Sequence, residues 1–174
     1  MAYPVGGKRP GFWCDRTGSI AVETALISGL LVVLIAQALD FGWYVYCALQ
    51  VRMAAQAAVA QAAISCNTAA KLPATVNCSG VSTSMTTAAQ QVSLGSTITM
   101  NTPSEGYYCV NGSALVSVGS LGAKPADCTP YSTAQPGDYV SVTTTHTFAP
   151  LFPGLTVVAA YAGPISATAW MRVG

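Results

Sequence analysis

Between Glu23 and Arg52 the chain runs for 28 residues with one charged side chain, Asp40. A helix needs about 20 mostly apolar residues to cross a bilayer. Residues 25–39, ALISGLLVVLIAQAL, form the middle of such a span, with Ser28 and Gln37 as its only polar side chains. Asp40 follows Glu23 by about 25 Å of helix, near the far edge of a hydrocarbon layer about 30 Å thick. Trp43, Tyr44 and Tyr46 come directly after it, as the aromatic belt at a membrane–water boundary does. Asp40, Trp43, Tyr44 and Tyr46 are therefore expected at a membrane interface.

Composition excludes several other classes. Of 174 residues, 52% are hydrophobic and 7% are charged, where soluble domains carry roughly a quarter charged residues. A net charge of +1 lacks the basic footprint of a nucleic-acid binder, so no nucleic-acid partner is expected. One His and six acids leave little for acid–base or metal chemistry. No catalytic residue, metal or cofactor is assigned.

The flanks orient the span. Lys8, Arg9 and Arg16 against Asp15 give the preceding segment a net +2. The positive-inside rule then keeps the N-terminus cytoplasmic and sends the chain beyond Arg52 outward. The apolar run is longer than the 7–15 residues of a secretory signal core. It also continues into RMAAQAAVAQAAIS, residues 52–65, which has strong helix propensity and no Gly or Pro. Residues 19–66 are expected to form one helix with its first half in the membrane. Small residues four apart (Ala54, Ala58, Ala62; Ala55, Val59, Ala63) allow close approach of another element, in the following domain or in another subunit.

Arg16-Thr17-Gly18-Ser19-Ile20-Ala21-Val22-Glu23-Thr24 is the most informative stretch. Gly18 leaves the backbone open to a protease. Glu23 places a carboxylate at the head of an apolar helix, which complements the helix dipole but is costly in lipid and so marks function. Gly18 followed by Ser-Ile-Ala-Val-Glu resembles a class III, type IV prepilin cleavage site. Residues 15–46, with Asp40-Phe41-Gly42 ahead of the tyrosines, resemble the opening of TadE-like (TadE/TadG-like) minor pilins of tight-adherence, Flp-type pilus systems. Thr24 stands where that family often has Phe or Tyr, and Trp43 where it often has Arg. Residues 138–173, ending in Met171-Arg172, resemble its C-terminal strands.

The resemblance implies a division into a leader (1–18), a transmembrane and assembly helix (19–66) and an exported β-rich domain (67–174). It implies cleavage between Gly18 and Ser19 by a prepilin peptidase, and a role for Glu23 in pairing with the new amine of a neighbouring subunit. An ammonium and a carboxylate in low dielectric lose less solvation together than apart. The implied partners are the prepilin peptidase, other pilin subunits, the pilus assembly machinery and the membrane. The implied location is the inner membrane, single-pass, with a periplasmic C-terminal domain and a pilus as the end point.

Beyond Asn67 Ser, Thr and Gly rise, and β-branched runs alternate with turn signals. Strands are expected at 92–100, 107–118, 139–148 and 165–173, an antiparallel sheet, so the class is α+β. Residues 72–91 fit a loop or a short helix. Cys66, Cys78, Cys109 and Cys128 allow three connectivities; the sequential pairing closes the shortest loops and is expected, the second bridge stapling a hairpin in an oxidising compartment. His146 shares a strand face with Val140, Val142, Thr144 and Phe148 and is expected to be structural. The apolar segment 151–158 is expected to be a crossover with its side chains in the core; the alternative is an exposed patch on a neighbour or the bilayer. The leading function is a non-enzymatic minor pilin. An uncleaved membrane-anchored assembly factor and an adhesin-like module on a helical stalk are the alternatives. An exported enzyme would have to assemble Glu105, Asp127 or Asp138 with His146.

Overall fold

The computed structural model describes the backbone of residues 16–161 and 163–174, and side chains from Ile20 onward except those of 159 and 161. The leader up to Asp15, with Lys8, Arg9 and Cys14, lies outside the described residues.

One helix, α1 (Arg16–Ser65), accounts for 50 residues and is about 75 Å long. It starts three residues before the expected boundary and ends one residue before it. Residues 20–35 are exposed all round, and the domain begins to cover the helix at Ala36. Thr24 and Ser28 turn their hydroxyls back onto the carbonyls of Ile20 (2.8 Å) and Ala25 (2.9 Å). The two hydroxyls on this stretch are thus satisfied within the helix.

After α1 come two short helices, α2 (Ala74–Asn77) and α3 (Val81–Ala89), and five strands: β1 (Thr99–Met100), β2 (Ser104–Asn111), β3 (Ala114–Gly119), β4 (Gly137–Thr147) and β5 (Pro164–Arg172). The class is α+β, with a single antiparallel sheet. β4 is its spine. Along one edge it pairs with β5 from Tyr139↔Arg172 to Thr147↔Pro164. Its other edge is shared by β1 (Thr99↔Thr145) and β2 (Ser104↔Ser141 to Tyr108↔Gly137). β3 completes a hairpin with β2.

The sheet lies against the second half of α1. Val140, Val142 and Thr144 of β4 are buried, and Ile165, Ala167, Ala169 and Met171 of β5 pack on the same core. Opposite them stand Val51, Ala54, Ala58, Val59 and Ala62 of α1, all at most 1% exposed. The alanine stripe therefore packs inside the subunit. Its small side chains bring the helix near enough for the Thr144 hydroxyl to bond the Val51 carbonyl at 2.9 Å. Met85 and Ala89 of α3 close the core from the side.

Three expectations change. Of residues 92–100 only Thr99 and Met100 are strand; a 3-10 turn occupies Gly95–Thr97, with Gly95 at φ +54°. Residues 107–118 are not one strand but two, divided by Gly112 at φ +63°; the turn suits a residue without a Cβ. Disulfides join Cys66 to Cys78 and Cys109 to Cys128. The first ties the end of α1 to the end of α2. The second links β2 to the loop between β3 and β4 instead of stapling the hairpin, because Cys128 lies beyond both of its strands.

Candidate functional site

Two polar residues of the apolar run sit at one level of α1. Gln37 and Asp40, three residues and so one turn apart, both face residues 149–158, the first part of the connection between β4 and β5, which continues into a 3-10 helix at Val157–Tyr161. The Gln37 amide nitrogen donates to the Leu155 carbonyl (3.1 Å), and its oxygen accepts from the Val157 N–H (3.1 Å). Asp40 is fully buried. Its carboxylate accepts from the N–H of Leu151 (2.7 Å), the N–H of Phe152 (3.4 Å) and the Thr156 hydroxyl (2.5 Å). Asp40, expected at the membrane interface, has its side chain sealed beneath a loop, where three donors replace water. Gln37 was not singled out. The signal for it was present: it is the nearest polar neighbour of Asp40 in an apolar run, and a polar pair one turn apart there needs a partner.

This clamp turns the loop's polar groups inward and its apolar groups outward. Leu151 (54% exposed), Leu155 (56%) and Val157 (68%) project away from the body. Segment 151–158 is thus not the buried crossover that was expected. Val158 alone among its aliphatic side chains enters a small core, with Phe148 and Cys47. Tyr44 meets Phe148 edge-on at 5.3 Å, and Trp43, packed on the same small core, stacks with Tyr46 at 5.4 Å.

Above Glu23, residues 20–35 are apolar and exposed, and the best stretch of this helix has a mean hydropathy of 2.1 with 6% buried. A core helix of that hydropathy would be covered by its own protein. α1 is long and apolar enough to cross a membrane, once, near the N-terminus. Glu23 is exposed on it. Gly18 and Ser19 fall in its first helical turn, so a protease acting between them requires that turn to unwind, as helix ends do most readily.

The acids and the histidine considered for an exported enzyme are not brought together. Asp138 and His146 lie eight residues apart on β4, about 26 Å of strand. His146 is held by the Thr97 hydroxyl, 3.1 Å from Nδ1. Asp127 bonds the N–H of Thr129 at 3.0 Å, which lowers its pKa. Among the described residues no cluster of three metal-ligating side chains occurs.

Glu105 and Asp138 do meet, in a structural role. Glu105 sits opposite Val140 on β2 and accepts from the N–H groups of Ala74 (2.5 Å) and Thr75 (2.6 Å), docking the disulfide-closed segment on the sheet. Asp138 is buried, with Oδ1 lacking a partner. Loss of water, then the nearby Glu105 carboxylate, raises its pKa to about 7, against a weaker pull from Lys124. Its folded value exceeds the 3.8 of an ordinary Asp, so the fold favours the protonated form. The contribution of Asp138 to stability is fully present below about pH 4 and is lost as the pH rises through about 7. Asp138→Asn is expected to remove that slope and to be more stable than the parent at pH 8, with near-equal stability at pH 4. Urea unfolding at the two pH values checks it.

Neither a family model, nor a curated protein, nor a solved structure matches this chain.

Proposed function

We propose that this chain is a membrane-anchored, non-enzymatic minor pilin (pseudopilin) that helps initiate or tip a tight-adherence type IV pilus. A prepilin peptidase matures it after Gly18. The observation that carries the reading is the geometry of α1. One unbroken helix presents a bare apolar half, headed by Glu23, and carries a disulfide-stapled sheet domain on its other half. A subunit that must first reside in lipid and then pack by its helix needs that division. The resemblance of residues 15–46 to TadE-like pilins adds the cleavage site and the assembly role of Glu23. The exported domain then lies in the periplasm, where disulfides persist.

The test is an intact mass from cells with and without the prepilin peptidase. Loss of residues 1–18 only when the peptidase is present is the expected result, and Gly18→Ala is expected to abolish that loss. Cleavage also changes the charge: the leader carries +2, so the mature chain falls from +1 to −1. A full-length mass in both strains would instead identify a permanently anchored assembly factor.

A further inference from the structure

We propose that the loop 151–158 dips into the outer leaflet, its apolar side chains in contact with lipid acyl chains, as a second membrane contact locked to α1 by Gln37 and Asp40. The inference rests on the reading that α1 spans a bilayer, and deepens it.

Depth is the first argument. Glu23 heads the bare apolar stretch of α1, and from it a hydrocarbon layer about 30 Å thick takes about 20 helical residues, which carries the far edge to Trp43. Gln37 and Asp40 fall short of that edge, so the loop bonded to them lies at the level of the acyl chains' outer end. Trp43 and Tyr46, stacked one turn further on, then fall where aromatic side chains meet headgroups.

Chemistry is the second, independent argument. Irregular backbone survives at membrane depth only where its polar groups are satisfied by protein. The Leu151, Phe152 and Val157 N–H groups, the Leu155 carbonyl and the Thr156 hydroxyl are all taken up by Gln37 and Asp40. The Leu155 N–H goes to the Phe152 carbonyl at 3.2 Å. The loop's outward groups are Leu151, Pro153, Gly154, Leu155 and Val157, and no charged residue occurs anywhere from 147 to 171. The patch is continuous with Leu39 and Phe41 of α1, themselves 51% and 62% exposed.

Tryptophan quenching tests it in the full chain, reconstituted into phosphatidylcholine–phosphatidylglycerol vesicles. Trp13, Trp43 and Trp170 are replaced by Phe, and one reporter is introduced as Val33→Trp, Leu155→Trp or Val110→Trp. Val110 is exposed on β2 and reports the domain. Mid-chain brominated lipid is expected to quench the reporters at 33 and 155 several-fold more than the one at 110. Iodide on both sides of the vesicle is expected to do the reverse. Lipid quenching at 33 with iodide quenching at 155 would overturn the loop's insertion and leave the span intact. Protection at 155 from both quenchers would replace lipid by a second protein surface. No lipid quenching at 33 would overturn the span, and the insertion with it.

Discussion

Asp40→Ala is expected to destabilise the domain by about 2–4 kcal/mol and to free the loop 151–158 from α1. The carboxylate is fully buried and holds three donors. Removing one partner of a buried hydrogen bond costs about 1–3 kcal/mol, because the orphaned donor has no water. Three such donors would exceed the total above if the loop stayed in place. The loop is instead expected to detach, which limits the loss to the packing of Val158 and the aromatic contact of Phe148 with Tyr44. Asp40→Asn keeps one acceptor oxygen but points an NH2 group at the remaining donors, so it is expected to fall between parent and alanine variant. Denaturant unfolding in micelles gives the stability, and hydrogen exchange at the Leu151 and Val157 amides gives the detachment. Unchanged exchange at those amides in the alanine variant would contradict the clamp.

Cys66→Ala with Cys78→Ala is expected to cost about 3 kcal/mol, from the loop-closure entropy of a 12-residue separation. The bridge does more than shorten a loop. Cys66 is fully buried beside Ala62 in the main core, and Cys78 brings Ala74 and Val81 onto the same cluster. The segment it closes carries the two N–H groups that Glu105 accepts. Losing the bridge is therefore expected to loosen α2, α3 and their contact with β2 together. Thermal unfolding with and without reductant checks the size, since reducing the parent should reproduce most of the loss. The Cys109–Cys128 bridge encloses a similar loop but lies outside that cluster, so its removal is expected to leave α1 and α3 undisturbed.

How far each element was legible follows from the range of its determinants. α1 ends within three residues of the expected bounds, because its signal is local: a long run of good helix formers without Gly or Pro. β4 and β5 lie within two residues of theirs, as alternating faces leave a period-two record. β1 did not survive as a nine-residue strand. β4 offers little edge for it, since β2 occupies the same edge from Gly137 to Ser141 and β4 ends at Thr147. The division of β2 from β3 had a local signal, Asn111-Gly112, the dipeptide preferred in tight hairpin turns. Glu105 had none, because its partners are the backbone of residues 31 and 30 positions away.

Residue order alone determined that the chain has one long apolar helix, a stretch of membrane length within it that carries a single charge, and a strand-rich remainder. Those properties depend on periodicity and on hydration cost summed over neighbours, and both can be counted along a sequence. Only the tertiary structure decided what the helix's two faces do. The alanine stripe closes on the sheet of its own subunit, and Asp40, 111 residues from Leu151, buries its charge under a loop that turns its leucines outward. A buried carboxylate is tolerable only where donors converge on it, and convergence of groups so distant in the chain is a property of packing.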